Sequence, residues 1–278
     1  MARCRVLLVL LLAPWLLAPL GARQPSAYRI LVTNDDGVRA PGLATLAQTL
    51  RALGNVAIVA PSDNQSGKSQ SLNTREPIFR EDLTLPNGMP AIGLTATPAT
   101  TVQVGLKNIL RPKPDLVVSG INPEYNLGFS AYLSGTVGAA RQAAMDGVPA
   151  IAASLGSAGA PRDFAAAAEA ILIVARLVKD RTLPPFTFLN INVPPLPAGG
   201  YKGYHVTTPA PMRGGVETFA ETTHPAGRTL YWSVYKEGAS ASEGTDAWAV
   251  EHGYVAITPM RLGEQDAGLT ERVGGWFR

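Results

Sequence analysis

The feature that most limits how this chain can fold is a repeated alternation. Short apolar, β-branched runs each stop at a polar loop and are followed by a stretch with helical spacing. Residues 29–33 form the first run and end at Asn34-Asp35-Asp36-Gly37; Pro41 then opens a helix carrying Leu43, Leu46, Ala47 and Leu50, which Gly54 closes. Residues 56–60, 115–119, 149–154, 186–193 and 254–258 are further buried runs, and helices are expected over 97–106, 134–145 and 165–179. Residues 71–94 read as shorter strands and turns. Strands alternating with helices predict an α/β, Rossmann-like, doubly wound and mostly parallel sheet. Residues 194–245 break the pattern, being rich in Gly, Thr, Pro and aromatics such as Tyr231 and Trp232, and predict β-hairpins that project from the core. The expected organisation is therefore an α/β core over 28–193, a hairpin region over 194–245 and a tail over 260–278, with 28–259 as one functional unit.

Of the 278 residues, 46% are hydrophobic and 16% charged, so a sizeable core is available and a disordered class is excluded. The formal charge of +3 is small, and no Lys/Arg cluster forms a stripe suited to a nucleic-acid duplex. The N-terminus differs from the rest. Arg3 and Arg5 precede an apolar run over 6–20, and small residues follow at Gly21-Ala22. This is the three-part pattern of a signal peptide over 1–22, cleaved after Ala22 or Ala27. A retained membrane anchor is the alternative. It fits less well, because a span needs about 20 apolar residues and Pro14 and Pro19 interrupt this run. A periplasmic or secreted protein without a membrane segment after cleavage is expected. Cys4 is the one cysteine and lies inside that segment, so the mature chain would hold no disulfide, thiolate ligand or cysteine nucleophile.

Three polar clusters share one address, the carboxyl end of a buried run, where open α/β sheets bind ligands. In Asn34-Asp35-Asp36-Gly37 two adjacent carboxylates either cap the next helix and its turn or hold a hard cation that neutralises them. Residues 63–69 offer hydroxyls, an amide and Lys68, or are a solvated loop. Gly67-Lys68-Ser69 is not a nucleotide-binding P-loop, because Ser62 stands where that motif needs its first glycine. Ser119-Gly120-Ile121-Asn122, Asn126-Leu127-Gly128 and Ser134-Gly135-Thr136 combine glycines with a helix start, which suits a phosphate or a plain turn-rich connector. Three such loops on one edge read as one assembled site. His205, His224 and His252 lie outside every cluster, so a histidine-based site is not expected.

These segments resemble the SurE family of metal-dependent nucleotidases. The resemblance is carried by residues 30–37, Ala60-Pro61 with Ser66-Gly67, Thr97-Pro98-Ala99, residues 118–122, 134–140, 190–194 and 253–259, all in consistent order. It implies hydrolysis of nucleoside 5′- or 3′-monophosphates with one divalent metal per subunit, Mg²⁺ or Mn²⁺. Carried over position by position, it implies Asp35, Asp36, Ser66 and Asn122 as metal ligands, all oxygen donors. It implies Asn126, Ser134, Gly135 and Thr136 as lining a phosphate pocket. It also implies hairpins exchanged within a homodimer or homotetramer. Two positions depart from the family pattern: Glu124 follows Pro123 where a glycine is usual, and Thr100 stands where an aspartate is usual. Two other readings stay open on this evidence. One is a broad acid phosphatase or short-chain polyphosphatase; the other is a metal-binding homologue that has lost turnover.

Overall fold

The computed structural model describes residues 27–157, 161–211, 215–236, 241–263 and 267–276; the expected signal segment over 1–22 lies outside the described residues. The predicted alternation is present. In chain order the first half runs β1 (Arg29–Thr33), α1 (Pro41–Leu50), β2 (Asn55–Pro61), β3 (Arg80–Thr84), β4 (Pro90–Leu94), α2 (Pro98–Val104), β5 (Leu116–Asn122) and α3 (Gly135–Met145). The second half runs β6 (Ala150–Leu155), α4 (Phe164–Arg181), β7 (Thr187–Val193), β8 (Tyr204–Val206), β9 (Gly215–Thr223), β10 (Thr229–Lys236), α5 (Asp246–Glu251), β11 (Val255–Arg261) and α6 (Ala267–Gly275). A π-helical turn over Gly105–Ile109 continues α2, and a 3₁₀ turn over Gly128–Leu133 leads into α3.

Nine strands form one sheet in the order β3-β4-β2-β1-β5-β6-β7-β11-β8. The six from β4 to β7 are parallel, whereas β3 and β11 run antiparallel to β4 and β7. The chain leaves β1 in one direction toward β2 and β4, then returns to β1's other side at β5. That reversal makes the gap between β1 and β5 a topological switch point, and Asp35-Asp36 sits at its carboxyl mouth.

Period-two alternation explains why both faces are covered. Ile30 and Val32 of β1 point into a core with Leu43 and Leu46 of α1 and Ile171 and Ala175 of α4. Leu31, between them, points to the opposite core with Val102 of α2 and Val137 and Ala140 of α3. The helix starts are capped by their own sequence. Thr97, Ser134 and Asp163 accept backbone N–H groups of Thr100, Val137 and Ala166.

Three expectations shift. The run over 115–119 is expected to stop before Gly120, yet β5 runs on to Asn122. Gly120 has φ +140°, and a Cβ there would stand 2.3 Å from the Ala153 carbonyl oxygen, so a glycine lets the strand continue against β6 where any side chain would force it away. Within 194–245, β8 joins the edge of the main sheet, and β9 and β10 form one separate antiparallel hairpin among the described residues. In the expected tail, β11 reaches Arg261 and α6 follows. Among the described residues no helix is long and apolar enough to cross a membrane.

Candidate active site

Asp35 and Asp36 follow β1 directly, and the two carboxylates are held differently. Asp35 is buried, and the Thr136 hydroxyl donates to its Oδ1 across 101 residues of sequence. Burial pushes its carboxyl up, while the Thr136 hydroxyl and the backbone N–H groups of Gly135 and Thr136, at the start of α3, oppose that by favouring the charge. A Cβ on Gly135 would stand 2.8 Å from Asp35 Cβ, so the absence of a side chain brings this helix N-terminus onto the carboxylate. Among the described residues Asp36 has no such partner. Its Oδ2 is buried with no hydrogen bond, and its carboxyl is pushed up to about 7, first by burial, then by the Asp35 and Glu124 charges; Arg162 opposes the shift.

The loop after β2 is tied to the same place. Gln65 N–H donates to the Asp35 carbonyl at 2.6 Å, and Val38 N–H to that of Pro61 at 2.7 Å. At its far end Ser69 N–H reaches the Leu133 carbonyl at 3.1 Å, and Gly138 of α3 packs so closely that a Cβ would meet Ser69 O at 2.0 Å. Ser66, exposed, stands between these two anchors, its N–H donating to Asn64 Oδ1 at 2.9 Å. Asn122 closes β5. Its side-chain nitrogen donates to the Glu124 carbonyl at 2.6 Å, which leaves the amide oxygen for another partner. A Cβ on Gly42 would lie 2.4 Å from Ile121 O, so the start of α1 also sits on this strand end.

The structure therefore brings Asp35, Asp36, Gly135 and Thr136 into direct contact or adjacency, and delivers the chain at Ser66 and Asn122 to the same edge. Thr136 and Asn126 have surroundings that the sequence did not suggest. The Thr136 hydroxyl is committed to Asp35, which makes it a positioning group for that carboxylate. Asn126 is locked into a buried amide network: its N–H donates to Asn192 Oδ1 and its Nδ2 to Ser154 Oγ, both at 2.8 Å, while Asn190 Nδ2 donates to its carbonyl at 2.8 Å. Thr100 ties residue 73 to the start of α2, accepting the Asn73 N–H at 2.8 Å. Glu124 is exposed and contributes charge near Asp36. The histidines engage elsewhere, His205 and His252 against the Trp248 ring and His224 with the Ala226 N–H.

Whether these groups suit a divalent ion is decided by the orphaned Asp36 oxygen. Two adjacent carboxylates, both pushed up and one unpartnered, want a cation, and hydroxyl and amide oxygens beside them suit a hard one. Among the described residues no group of three or more His, Cys, Asp or Glu is gathered for a metal, so any ion here would take neutral oxygens or water beyond the two aspartates. The residues present fit a hard divalent cation.

A cleft of about 710 Å³ opens on the Asp36 side, lined also by Arg39, Pro41, Pro123, Arg162 and Phe164. Sequence reasoning missed Arg162 and Phe164. The signal was available, a lone Arg ahead of an aromatic in the loop after the buried run at 149–154, at the same carboxyl edge as the other three clusters.

Residues 30–214 match the family model described as "Survival protein SurE". The "5′-nucleotidase SurE 1" of Thermus thermophilus is 41% identical over 249 residues, covering 89% of this chain and 97% of that protein. The "5′-nucleotidase SurE" of Coxiella burnetii is 39% identical over 259 residues, covering 90% and 95%. Among solved structures, the SurE protein of Aquifex aeolicus superposes with a TM-score of 0.76 at 34% identity, covering 90% of this chain and all of that one. With the family's model matched over most of the sheet and relatives of this identity aligned nearly end to end, this chain belongs to the SurE family.

Proposed function

We propose that this chain is an exported 5′-nucleotidase that hydrolyses nucleoside monophosphates to nucleoside and phosphate with one divalent cation, Mg²⁺ or Mn²⁺. The 5′-nucleotidase assignment follows the curated relatives, which share about two residues in five with it over most of both chains. The observation that carries the metal dependence is the buried, unpartnered Asp36 Oδ2 beside Asp35 at the switch point. Asp35, Asp36, Ser66 and Asn122 would hold the ion. When bound, the ion supplies Lewis-acid stabilisation of the charge that develops on the phosphoryl oxygens. The chain's own residues do the rest. Thr136 holds Asp35 in one orientation through its hydroxyl. Ser134, whose oxygen already caps α3, keeps a hydroxyl proton to donate to a phosphate oxygen. The α3 N-terminus favours the dianion and its charge-rich transition state. Asn126, clamped by Ser154, Asn190 and Asn192, keeps the wall of that pocket rigid.

The test is phosphate release from AMP, GMP, CMP and UMP, and from 3′-AMP, with Mg²⁺ or Mn²⁺. We expect release from the 5′-nucleotides that stops when EDTA removes the metal. Turnover that persists after full chelation would overturn the metal role, and no release from any nucleotide with either metal would overturn the assignment itself.

Export rests on the basic, apolar and small-residue order of residues 3–22. A mature N-terminus at Arg23 or Tyr28 in an extracytoplasmic fraction is expected, and a full-length cytoplasmic product would refute it. Assembly into a homodimer or homotetramer rests on the hairpin of β9 and β10. A lone two-stranded ribbon is marginal in water, yet Phe219, Tyr231 and Trp232 are 59%, 61% and 66% exposed. The register places Tyr231 and Trp232 on opposite faces of the ribbon, so both faces need a cover.

A further inference from the structure

Of the residues that would hold the metal and the phosphate, only Asp36 lines the cleft beside it. Ser134, Thr136 and Asp35 are not among its walls, whereas Asp36 is. The cleft thus runs from Asp36 to the start of α4 and does not include the α3 N-terminus. The volume, about 710 Å³, is in the range of sites that take small organic molecules. Its apolar surface comes from Pro41, Pro123, Pro161 and Phe164, and its cationic surface from Arg39 and Arg162. The Phe164 ring is pinned: a Cβ on Gly42 would already stand 3.0 Å from Phe164 Cε1, so ring and α1 are in close contact. Arg39 is engaged, its guanidinium 2.5 Å from Glu81 Oε1. Arg162 is fixed differently, its Nε donating to the Pro123 carbonyl at 2.5 Å, which holds a planar guanidinium at the cleft wall without neutralising it.

An aromatic face, proline edges and an anchored guanidinium suit a flat, uncharged ring bearing hydrogen-bond acceptors. Resting on the nucleotidase reading above, we propose that this cleft is the nucleoside subsite, with Phe164 and Arg162 as the residues that recognise the base while the phosphate lies across Asp36. Recognition of the leaving group then resides in Arg162 and Phe164 at the start of α4, apart from the residues that hold the phosphate.

The test compares Arg162→Ala and Phe164→Leu with the parent chain. Leucine keeps the apolar contact with α1 and removes only the aromatic face. One arm measures kcat and KM on AMP and on glycerol 3-phosphate, a phosphomonoester with no base. We expect KM for AMP to rise about tenfold in each variant, with kcat nearly unchanged and glycerol 3-phosphate turnover unaffected. A second arm measures adenosine binding by calorimetry with Mg²⁺ present and no phosphate ester. Adenosine should bind the parent and be weakened by a similar factor in both variants. Equal losses on AMP and glycerol 3-phosphate, appearing in kcat, would overturn the proposal and move Arg162 to the phosphoryl group. Unchanged KM and unchanged adenosine affinity would overturn it outright. A parent that binds adenosine in this way but releases no phosphate would sink the nucleotidase reading and leave the subsite standing.

Discussion

Replacing Asp36 with Asn should stabilise the metal-free protein while abolishing its response to metal. The Asp36 carboxyl lies at about 7 in the folded chain against 3.8 when unperturbed. A carboxyl whose folded pKa is raised holds its proton more tightly when folded. Its contribution is therefore fully present below about pH 4 and is lost as pH rises through 7, so by pH 8 ionised Asp36 works against folding. A shift of this size corresponds to a ceiling of about 4 kcal/mol. The side chain is only partly buried, and solvent screening reduces the expected effect to about 2 kcal/mol. For a chain of this size that is roughly 4–8 °C in Tm. Asn keeps the shape and cannot ionise. Calorimetric unfolding in EDTA at pH 8 should thus show Asp36→Asn more stable than the parent, with the gap closing toward pH 4. Addition of Mg²⁺ should raise the Tm of the parent and leave the variant unmoved. A variant that is no more stable at pH 8 in EDTA, or that still gains Tm with Mg²⁺, would show that the orphaned oxygen is neither strained nor a ligand.

Three other variants address separate parts of the molecule. Gly135→Ala puts a methyl 2.9 Å from Asp35 Oδ2, so Mg²⁺-dependent phosphate release should fall about 100-fold while circular dichroism stays that of the parent; full activity would mean the α3 N-terminus does not position Asp35. Asp246→Ala removes the acceptor for the backbone N–H groups of Gly128, Ala210 and Ala247, at 2.7, 2.9 and 2.8 Å, and should lower stability in urea by about 3 kcal/mol; a loss below about 1 kcal/mol would contradict a clamp at that position. Trp232→Ser with Phe219→Ser removes exposed aromatics from the hairpin and should reduce the sedimenting species to a monomer, whereas an unchanged mass would place the subunit contact elsewhere.

Much of the architecture could be read directly from residue order. Buried β-branched runs closed by polar loops read as strands because they are too short for helices and their branched side chains suit a sheet covered on both faces. That reading placed Asp35-Asp36 at the end of β1 and the Ser66 and Asn122 loops at the ends of β2 and β5, and the family motifs named the same residues. The extension of β5 was less legible. Gly120 looks like a loop start in isolation, and only the Ala153 carbonyl in the neighbouring strand shows why a glycine there continues the sheet.

Local order determined the strands, the helix caps and the residue types at each loop; strand order determined which loops meet. β1 lies between β2 and β5, with β6 beyond, and no local propensity encodes that sequence of neighbours. It follows from how the crossover helices bury their apolar faces on the two sides of the sheet. Once it is set, Thr136 reaches Asp35 across 101 residues, and Asp246 clamps Gly128 across 118. Arg162 and Phe164 face Asp36 across one cleft for the same reason. The acidic pair was visible from the sequence; that one carboxylate is held by Thr136 while Oδ2 of the other has no partner among the described residues is a property of packing alone, because it depends on which donors the folded sheet brings within reach.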